Sequence, residues 1–417
     1  MEKLIISQNT HWKKEYRGLY NRDVVAKIIS RLDMPHIEAL QGIRRSGKST
    51  IFKLIINYLS KSIDPKKILF VNLDDPYFIP FSSDATKFYS IIETAEKLTQ
   101  RKIEYLFLDE VQSINGWERF VKSAYDTQSF KKIFITGSNA SFLDGKLATL
   151  LTGRYLSSRV YPFSYKELLE IAGISSYMEL IEKRSLVLNL VDNILQNGSF
   201  IEVFNAKDEN KRDLIKSYYD AIILKDCISN NQVRDTKNFR ELSFYLLNNI
   251  TSIFSYNKIS KAIGISDLSA KEYIGYLQES FIMQELKQYS FSIKEQISSK
   301  KKIYTIDNGF MLLNFKFSSN FGKLLENLVY SELVKNGYEV YFYNKDVECD
   351  FIAIKDNCKI ALQVAYELNE DNLKRELNGL KKLPFNVDKK YIITYNQEKN
   401  LIDNIKAVSF WKFFYEI

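Results

Sequence analysis

The run Gly42-Ile43-Arg44-Arg45-Ser46-Gly47-Lys48-Ser49-Thr50 places two glycines, a lysine and two hydroxyls at the G-x-x-x-x-G-K-S spacing of a phosphate-binding loop. Gly42 and Gly47 permit a tight turn, so that the loop's backbone N–H groups, including those of Arg45, Ser46 and Gly47, converge on phosphate oxygens. A helix beginning near Lys48 adds the positive end of its dipole. Lys48 is expected to reach the β- and γ-phosphates, and the Ser49 hydroxyl to coordinate Mg2+. Thr50 either secures the first helical turn or meets the α-phosphate. The implied chemistry is the binding of a nucleoside triphosphate.

A second group of residues supplies what hydrolysis would need. Ile103 to Glu110 reads as a buried strand closing on two acids. Asp109 is placed to hold Mg2+, commonly through water, and Glu110 to orient or deprotonate an attacking water. A third strand, Lys132 to Thr136, runs into Gly137-Ser138-Asn139-Ala140 and sets small polar side chains at its carboxyl end, where open α/β sheets bind ligands. Asn139 or Ser138 is a candidate to orient the water; either could instead cap a helix over 141–151.

These residues need a sheet to hold them. His36 to Gln41 reads as the strand leading into the loop, and Ile51 to Leu59 as the amphipathic helix leading out. Lys67 to Asp75 reads as a buried strand stopped by Pro76, Ala85 to Gln100 as a helix, and Ser158 to Phe163 as a short last strand. A strand lying between the two motifs, and a glutamate directly after Asp109, point to the additional-strand branch of P-loop ATPases. The expected fold class is α/β with a parallel sheet. Before it, Val24 to Leu32 forms a helical pattern that could lie against the base or the nucleotide pocket. Arg22 reads as a surface arginine or a nucleotide contact.

A chain of 417 residues exceeds one ordinary core, so two to four domains are expected. Its 45% hydrophobic and 26% charged residues suit a water-borne globular protein. The net charge of +8 is compatible with nucleic-acid contact without establishing it. Three cysteines, Cys227, Cys349 and Cys358, show no C-x-x-C spacing, and the two histidines, His11 and His36, have no metal-ligand partners nearby. A zinc site or disulfide framework is not expected. No leader-like segment is visible, and no apolar run approaches the ~18 residues that span a bilayer. The expected location is the cytoplasm, without a membrane partner.

Taken together, GIRRSGKST at 42–50, LDEVQ at 108–112 followed by Trp117, ITGSN at 135–139, LTGR at 151–154 and YPFSYKELL at 161–169 resemble the AAA-type prokaryotic ATPases that carry a C-terminal region of unknown role. The resemblance implies an ATP hydrolase using ATP and Mg2+, with a sensor role for ITGSN and a γ-phosphate-facing role for Arg154. Such an arginine acts in its own subunit or in a neighbour's site, which makes oligomerisation relevant; pairing with a carboxylate is the structural alternative, and Arg159 is a second candidate. ATP is preferred over GTP by this resemblance, since no N-K-x-D guanine-reading pattern stands at the expected place.

The expected divisions are an ATPase core at 1–165, a helical lid at 166–236, a winged helix at 237–306 and a PD-(D/E)XK nuclease-like domain at 307–417. Ser164 to Glu167 reads as a capping box. In the winged helix, Ser269, Lys271 and Glu272 begin the recognition helix, and Lys300-Lys301-Lys302 lies near a wing. In the last domain Glu326 and Asp350 resemble the helix and strand acids of the nuclease fold, while Gln363 stands for its third acid and Ala365 for its lysine. That domain is therefore read as inactive, structural or DNA-holding. The output is expected to be conformational change on nucleic acid or a protein partner; the alternatives are a nucleotide-switched DNA-binding adaptor with little turnover, and an ATP-gated nuclease.

Overall fold

A computed structural model describes residues 1–140, 150–314 and 320–417; the helix expected over 141–151 lies almost wholly outside them. The chain forms two compact units, Met1–Val160 and Tyr161–Ile417. The first is organised on five strands, β1 (Ile37–Gln41), β2 (Ile68–Asn72), β3 (Tyr105–Asp109), β4 (Lys132–Gly137) and β5 (Tyr155–Arg159), in the spatial order β2-β3-β4-β1-β5. All neighbours are parallel. Strands covered on both faces need continuous apolar runs, which is what Ile68–Val71 and Leu106–Leu108 provide.

Alternation sends Leu40, Phe107 and Phe134 to one face, under helix α3 (Lys48–Leu59, numbered after α1, Glu2–Gln8, and α2, Asp23–Ile29). There Phe107 and Phe134 stack with centroids 4.1 Å apart and Phe52 of α3 meets Phe107 edge-on at 5.1 Å. Ala39, Leu106, Leu108 and Ile135 face the other way and share a core with Phe88 of α4 (Lys87–Thr99) and Phe120 and Val121 of α5 (Trp117–Asp126).

The last strand starts at Tyr155, three residues before the expected start at Ser158. Partnering decides this: Tyr155 is opposite Ile37 and Arg159 opposite Gln41. As an edge strand with exposed Ser157 and Arg159, β5 lacks the apolar run that drew the expectation towards 160–163.

The segment before β1 does more than precede it. Asn9 accepts from Phe70 N–H at 2.7 Å and donates to Phe70 O at 2.9 Å, and Gln8 does the same to Asn72 at 2.9 and 3.2 Å. Trp12 Nε1 and His11 Nε2 lie 2.9 and 3.0 Å from Ile68 O. Side chains thus satisfy the outer edge of β2 at every second residue, in place of a sixth strand.

The second unit begins with helices. Ser164 caps Tyr165–Ile171 with a full capping box closed by Glu167. Arg184–Asn197 ends at Gly198, whose φ of +80° and whose Cβ position, 1.8 Å from Asp307 Oδ1, admit only glycine. Asp208–Ala221 continues into a π-helical stretch, Ile222–Ser229. Next, Thr236–Leu247, Tyr256–Ile263 and Asp267–Glu279 precede or accompany an antiparallel sheet of β6 (Ile253–Phe254), β7 (Met283–Lys287) and β8 (Lys301–Thr305), ordered β6-β8-β7. Finally, β9 (Glu339–Asn344), β10 (Glu348–Lys355), β11 (Cys358–Ala365), β12 (Lys389–Thr394), β13 (Lys399–Asn400) and β14 (Lys406–Ser409) form a mixed sheet ordered β13-β14-β12-β11-β10-β9, with helices Phe321–Lys335 and Glu370–Lys381 against it.

Candidate nucleotide-binding site

The loop from Gly42 to Gly47 leaves the carboxyl end of β1, and α3 starts at Lys48. Gly42 has to be glycine because a Cβ there would come within 2.0 Å of Val160 O. Gly47, at φ +97°, and Arg45, at φ +69°, take left-handed backbone, the kind of turn from which loop N–H groups can build an anion-binding concavity; the Ser46 N–H donates to Ile43 O at 3.2 Å. The Ser46 hydroxyl is buried without a hydrogen-bonding partner in the described residues, a polar atom suited to an incoming oxyanion. Lys48 Nζ is folded back on the loop, 3.0 Å from Gly42 O and 3.3 Å from Ile43 O, with Glu110 Oε1 at 3.7 Å.

Adjacent strands β3, β4 and β1 bring the other residues to the same edge. Ser49 Oγ donates to Asp109 Oδ2 at 2.5 Å, and Thr136 Oγ1 donates to Asp109 Oδ1 at 2.6 Å. Burial pushes the Asp109 carboxyl above its ordinary range, the charge of Glu110 adds to this, and the two hydroxyls oppose it. Burial acts on Glu110 in the same sense, but Lys48, Gln112 and Arg44 outweigh it and hold its carboxyl below the usual range. Gln112 Nε2 donates to Glu110 Oε2 at 2.5 Å and to Ser138 Oγ at 3.4 Å. Ser138 and Asn139 are both buried at the end of β4.

Ser49 and Asp109 are the hard oxygen pair that could hold Mg2+. One carboxylate and one hydroxyl suit an ion that keeps several waters and takes its other ligands from phosphate. Among the described residues no group of three or more His, Cys, Asp or Glu could hold a metal by itself.

For two arginines the structure takes one of the alternatives: Arg154 the carboxylate pair, and Arg22 a place beside the loop. Arg22 is buried, its Nη1 donating to Ser46 O at 2.9 Å and standing 3.3 Å from the Cβ position of Gly47. It belongs to the loop's surroundings and not to the surface. Arg154 precedes β5, and its carbonyl accepts from Ile37 N–H at 2.9 Å, at the amino end of β1. Four strand steps, about 13 Å, therefore separate that end from the loop. Its guanidinium pairs with Asp126 at 3.0 Å, so within one chain Arg154 does not face the phosphate loop. Arg159, opposite Gln41, is the arginine of β5 at the loop's edge.

Thr136 and Gln112 are not singled out by the sequence for the roles they occupy. Thr136 sits in the quoted ITGSN run, but only the neighbouring strand shows what its hydroxyl meets.

The second unit holds a different polar constellation. Lys302 Nζ lies 3.2 Å from Glu326 Oε1, 3.4 Å from Asp350 Oδ1 and 3.6 Å from Glu348 Oε1, beside a cavity of about 860 Å3. Burial lowers the affinity of Lys302 for its proton, but the three carboxylates outweigh this and raise it. Gln363 is spent on backbone, accepting from Asp350 N–H at 2.9 Å and donating to Glu348 O at 3.0 Å. Lys301 is also buried, donating to Gln296 O and Ile297 O at 2.9 Å. Of the basic run expected near a wing, only Lys300 is exposed.

A family model described as an AAA domain matches residues 35–169. Two more, each described as a domain of unknown function, match 188–319 and 321–413. An uncharacterized protein of Haemophilus influenzae is 30% identical over 390 residues, covering 92% of this chain and 95% of its own length. One from Methanocaldococcus jannaschii is 32% identical over 416 residues, covering 94% of this chain and 90% of its own. Among solved structures, the Orc1 protein of Aeropyrum pernix in complex with DNA is 11% identical with a TM-score of 0.33, covering 78% of this chain and 98% of that one. AMPPCP-bound DnaA from Aquifex aeolicus is 16% identical with a TM-score of 0.28, covering 62% and 86%. No helix in the described residues is long and apolar enough to cross a membrane. With the phosphate loop and the acid pair at the same ends of parallel strands and the AAA-domain match over them, this chain belongs to the AAA-type P-loop ATPases, in a family shared with the Haemophilus influenzae and Methanocaldococcus jannaschii proteins.

Proposed function

We propose that the chain binds ATP with Mg2+ at this edge of the first unit and hydrolyses it, coupling the cycle to conformational change on nucleic acid or a protein partner. The observation that carries the reading is the Ser49–Asp109 contact at 2.5 Å with Glu110 and Lys48 beside it. ATP would draw Lys48 from the loop carbonyls to the β- and γ-phosphates, releasing Glu110 from its ion pair. Glu110 would take a proton from water as the water oxygen bonds to the γ-phosphorus and the bond to the β-phosphate oxygen breaks, leaving ADP and inorganic phosphate. Asn139 would orient that water, and Thr50 would meet the α-phosphate. Bound Mg2+ would supply neutralisation of the developing phosphate charge. Arg154 would act only on a nucleotide held by a second copy.

The domain reading of the second unit stays with a lid, a winged helix and an inactive nuclease-like domain. Inactivity is favoured because Lys302 already occupies the centre of the carboxylates that a metal ion would need. The test is steady-state ATP hydrolysis by wild type and Glu110→Gln, with and without duplex DNA. Turnover lost by about 100-fold or more in the variant, with ATP binding kept, supports the reading. Absence of turnover in wild type under every condition, with ATP bound, would favour a nucleotide switch.

A further inference from the structure

We infer that Thr136 is a positioning residue that sets both acids of the hydrolytic site at once; the inference rests on the ATPase reading above. β4 is the middle strand of the three that meet at the site, and Thr136 is fully buried in it. A central parallel strand accepts valine there at no cost in shape, so a buried hydroxyl needs partners to be tolerated. It has two. Its single proton goes to Asp109 Oδ1 at 2.6 Å, because a carboxylate oxygen only accepts, and its oxygen accepts the Glu110 N–H at 2.8 Å.

Each bond does separate work. Ser49 grips Oδ2 of Asp109 from the loop side, and Thr136 grips Oδ1 from the sheet side. Together they fix the rotation of the carboxylate that would hold Mg2+. Glu110 has φ +55°, a left-handed conformation that non-glycine residues keep only when their surroundings impose it. The Thr136 oxygen satisfies the N–H of that residue, so the hydroxyl also aims the carboxylate that would take the water's proton. One side chain thereby couples metal binding to proton transfer without touching nucleotide.

The test compares Thr136→Val, which keeps the shape and removes the hydroxyl, with Thr136→Ser, which keeps the hydroxyl. ADP affinity is measured by calorimetry with and without Mg2+, alongside steady-state turnover. Thr136→Val should bind ADP alone as wild type does, lose about ten-fold of the affinity that Mg2+ adds, and turn over about 100-fold more slowly. Thr136→Ser should recover both to within about two-fold. Wild-type Mg2+ gain in Thr136→Val, or equal impairment in Thr136→Ser, overturns the inference. If the valine protein does not fold, Thr136→Ala carries the same comparison. A wild type that binds Mg2+ with ADP but never hydrolyses ATP sinks the ATPase reading alone, since the Mg2+-dependent binding ratio still decides the role of Thr136.

Discussion

Ser49 Oγ and Asp109 Oδ2 stand 2.5 Å apart although 60 residues separate them in sequence. The contact ties the first turn of α3 to the end of β3. Ser49→Ala and Asp109→Asn should therefore share one phenotype. ADP binding without Mg2+ should be unchanged, the extra affinity from Mg2+ should be lost, and turnover should fall by about 100-fold or more. Calorimetry with and without the ion separates this from general misfolding.

Arg154 sits at the sheet edge opposite the phosphate loop and is bound to Asp126. Arg154→Ala should hydrolyse ATP as wild type does at dilutions where the chain is monomeric, and more slowly, by up to about 10³-fold, where it assembles. Mixing Arg154→Ala with Glu110→Gln at high concentration should restore turnover, since each supplies what the other lacks. A mixture as inactive as its parts would remove the arginine from catalysis.

Lys302 pairs with three acids around one cavity, and Lys302→Met leaves them facing one another. The expected loss of stability is about 3–5 kcal/mol, read by denaturant unfolding, with part recovered in Lys302→Met/Glu326→Gln. Burial, and then the charge of Asp350, raise the Glu326 carboxyl to about 7 even with Lys302 present. Its folded value lies above its unfolded one, so its contribution is present at low pH and lost as pH rises towards about 7. The methionine variant should accordingly be least impaired in acid.

His11 behaves in the opposite sense. Ile68 O can only accept, so Nε2 carries the proton, and Nδ1 accepts from the Tyr16 hydroxyl at 3.1 Å. Burial lowers its affinity for a second proton, to a pKa of about 4, against the small opposing effect of the Ile68 carbonyl. The unfolded chain takes that proton first as pH falls, so stability is complete above about 6.5 and lost between there and about 4. The difference amounts to about 3 kcal/mol. His11→Gln should flatten this limb of the unfolding-midpoint profile; an unchanged slope would show that His11 is not its source.

The strands carrying the phosphate loop and the acid pair were legible because each is an apolar run ending in a polar cluster, a local pattern in sequence. What escaped depends on partners far along the chain. β5 was misplaced because an edge strand needs no apolar run, and Arg154 could be assigned to an end of the sheet only once Tyr155 was paired with Ile37. Arg22 carries no sign in its own neighbourhood that Ser46 O will bury it. In the last sheet, the resemblance implies that a lysine is missing at Ala365, but not that Lys302 arrives from β8. Lys301 and Lys302 read as part of a basic run near a wing, because burial of two lysines needs carbonyl and carboxylate partners that no local pattern announces.

The side chains of Gln8, Asn9, His11 and Trp12 along β2 are also a guard against the wrong partner. They occupy the N–H and C=O groups through which an open strand recruits another chain. A protein shortened to begin after Trp12 would present Ile68, Phe70 and Asn72 as an adhesive border at that edge of the sheet. Its damage would register as concentration-dependent association more than as lost folding, and light scattering would reveal it while the nucleotide site was still intact.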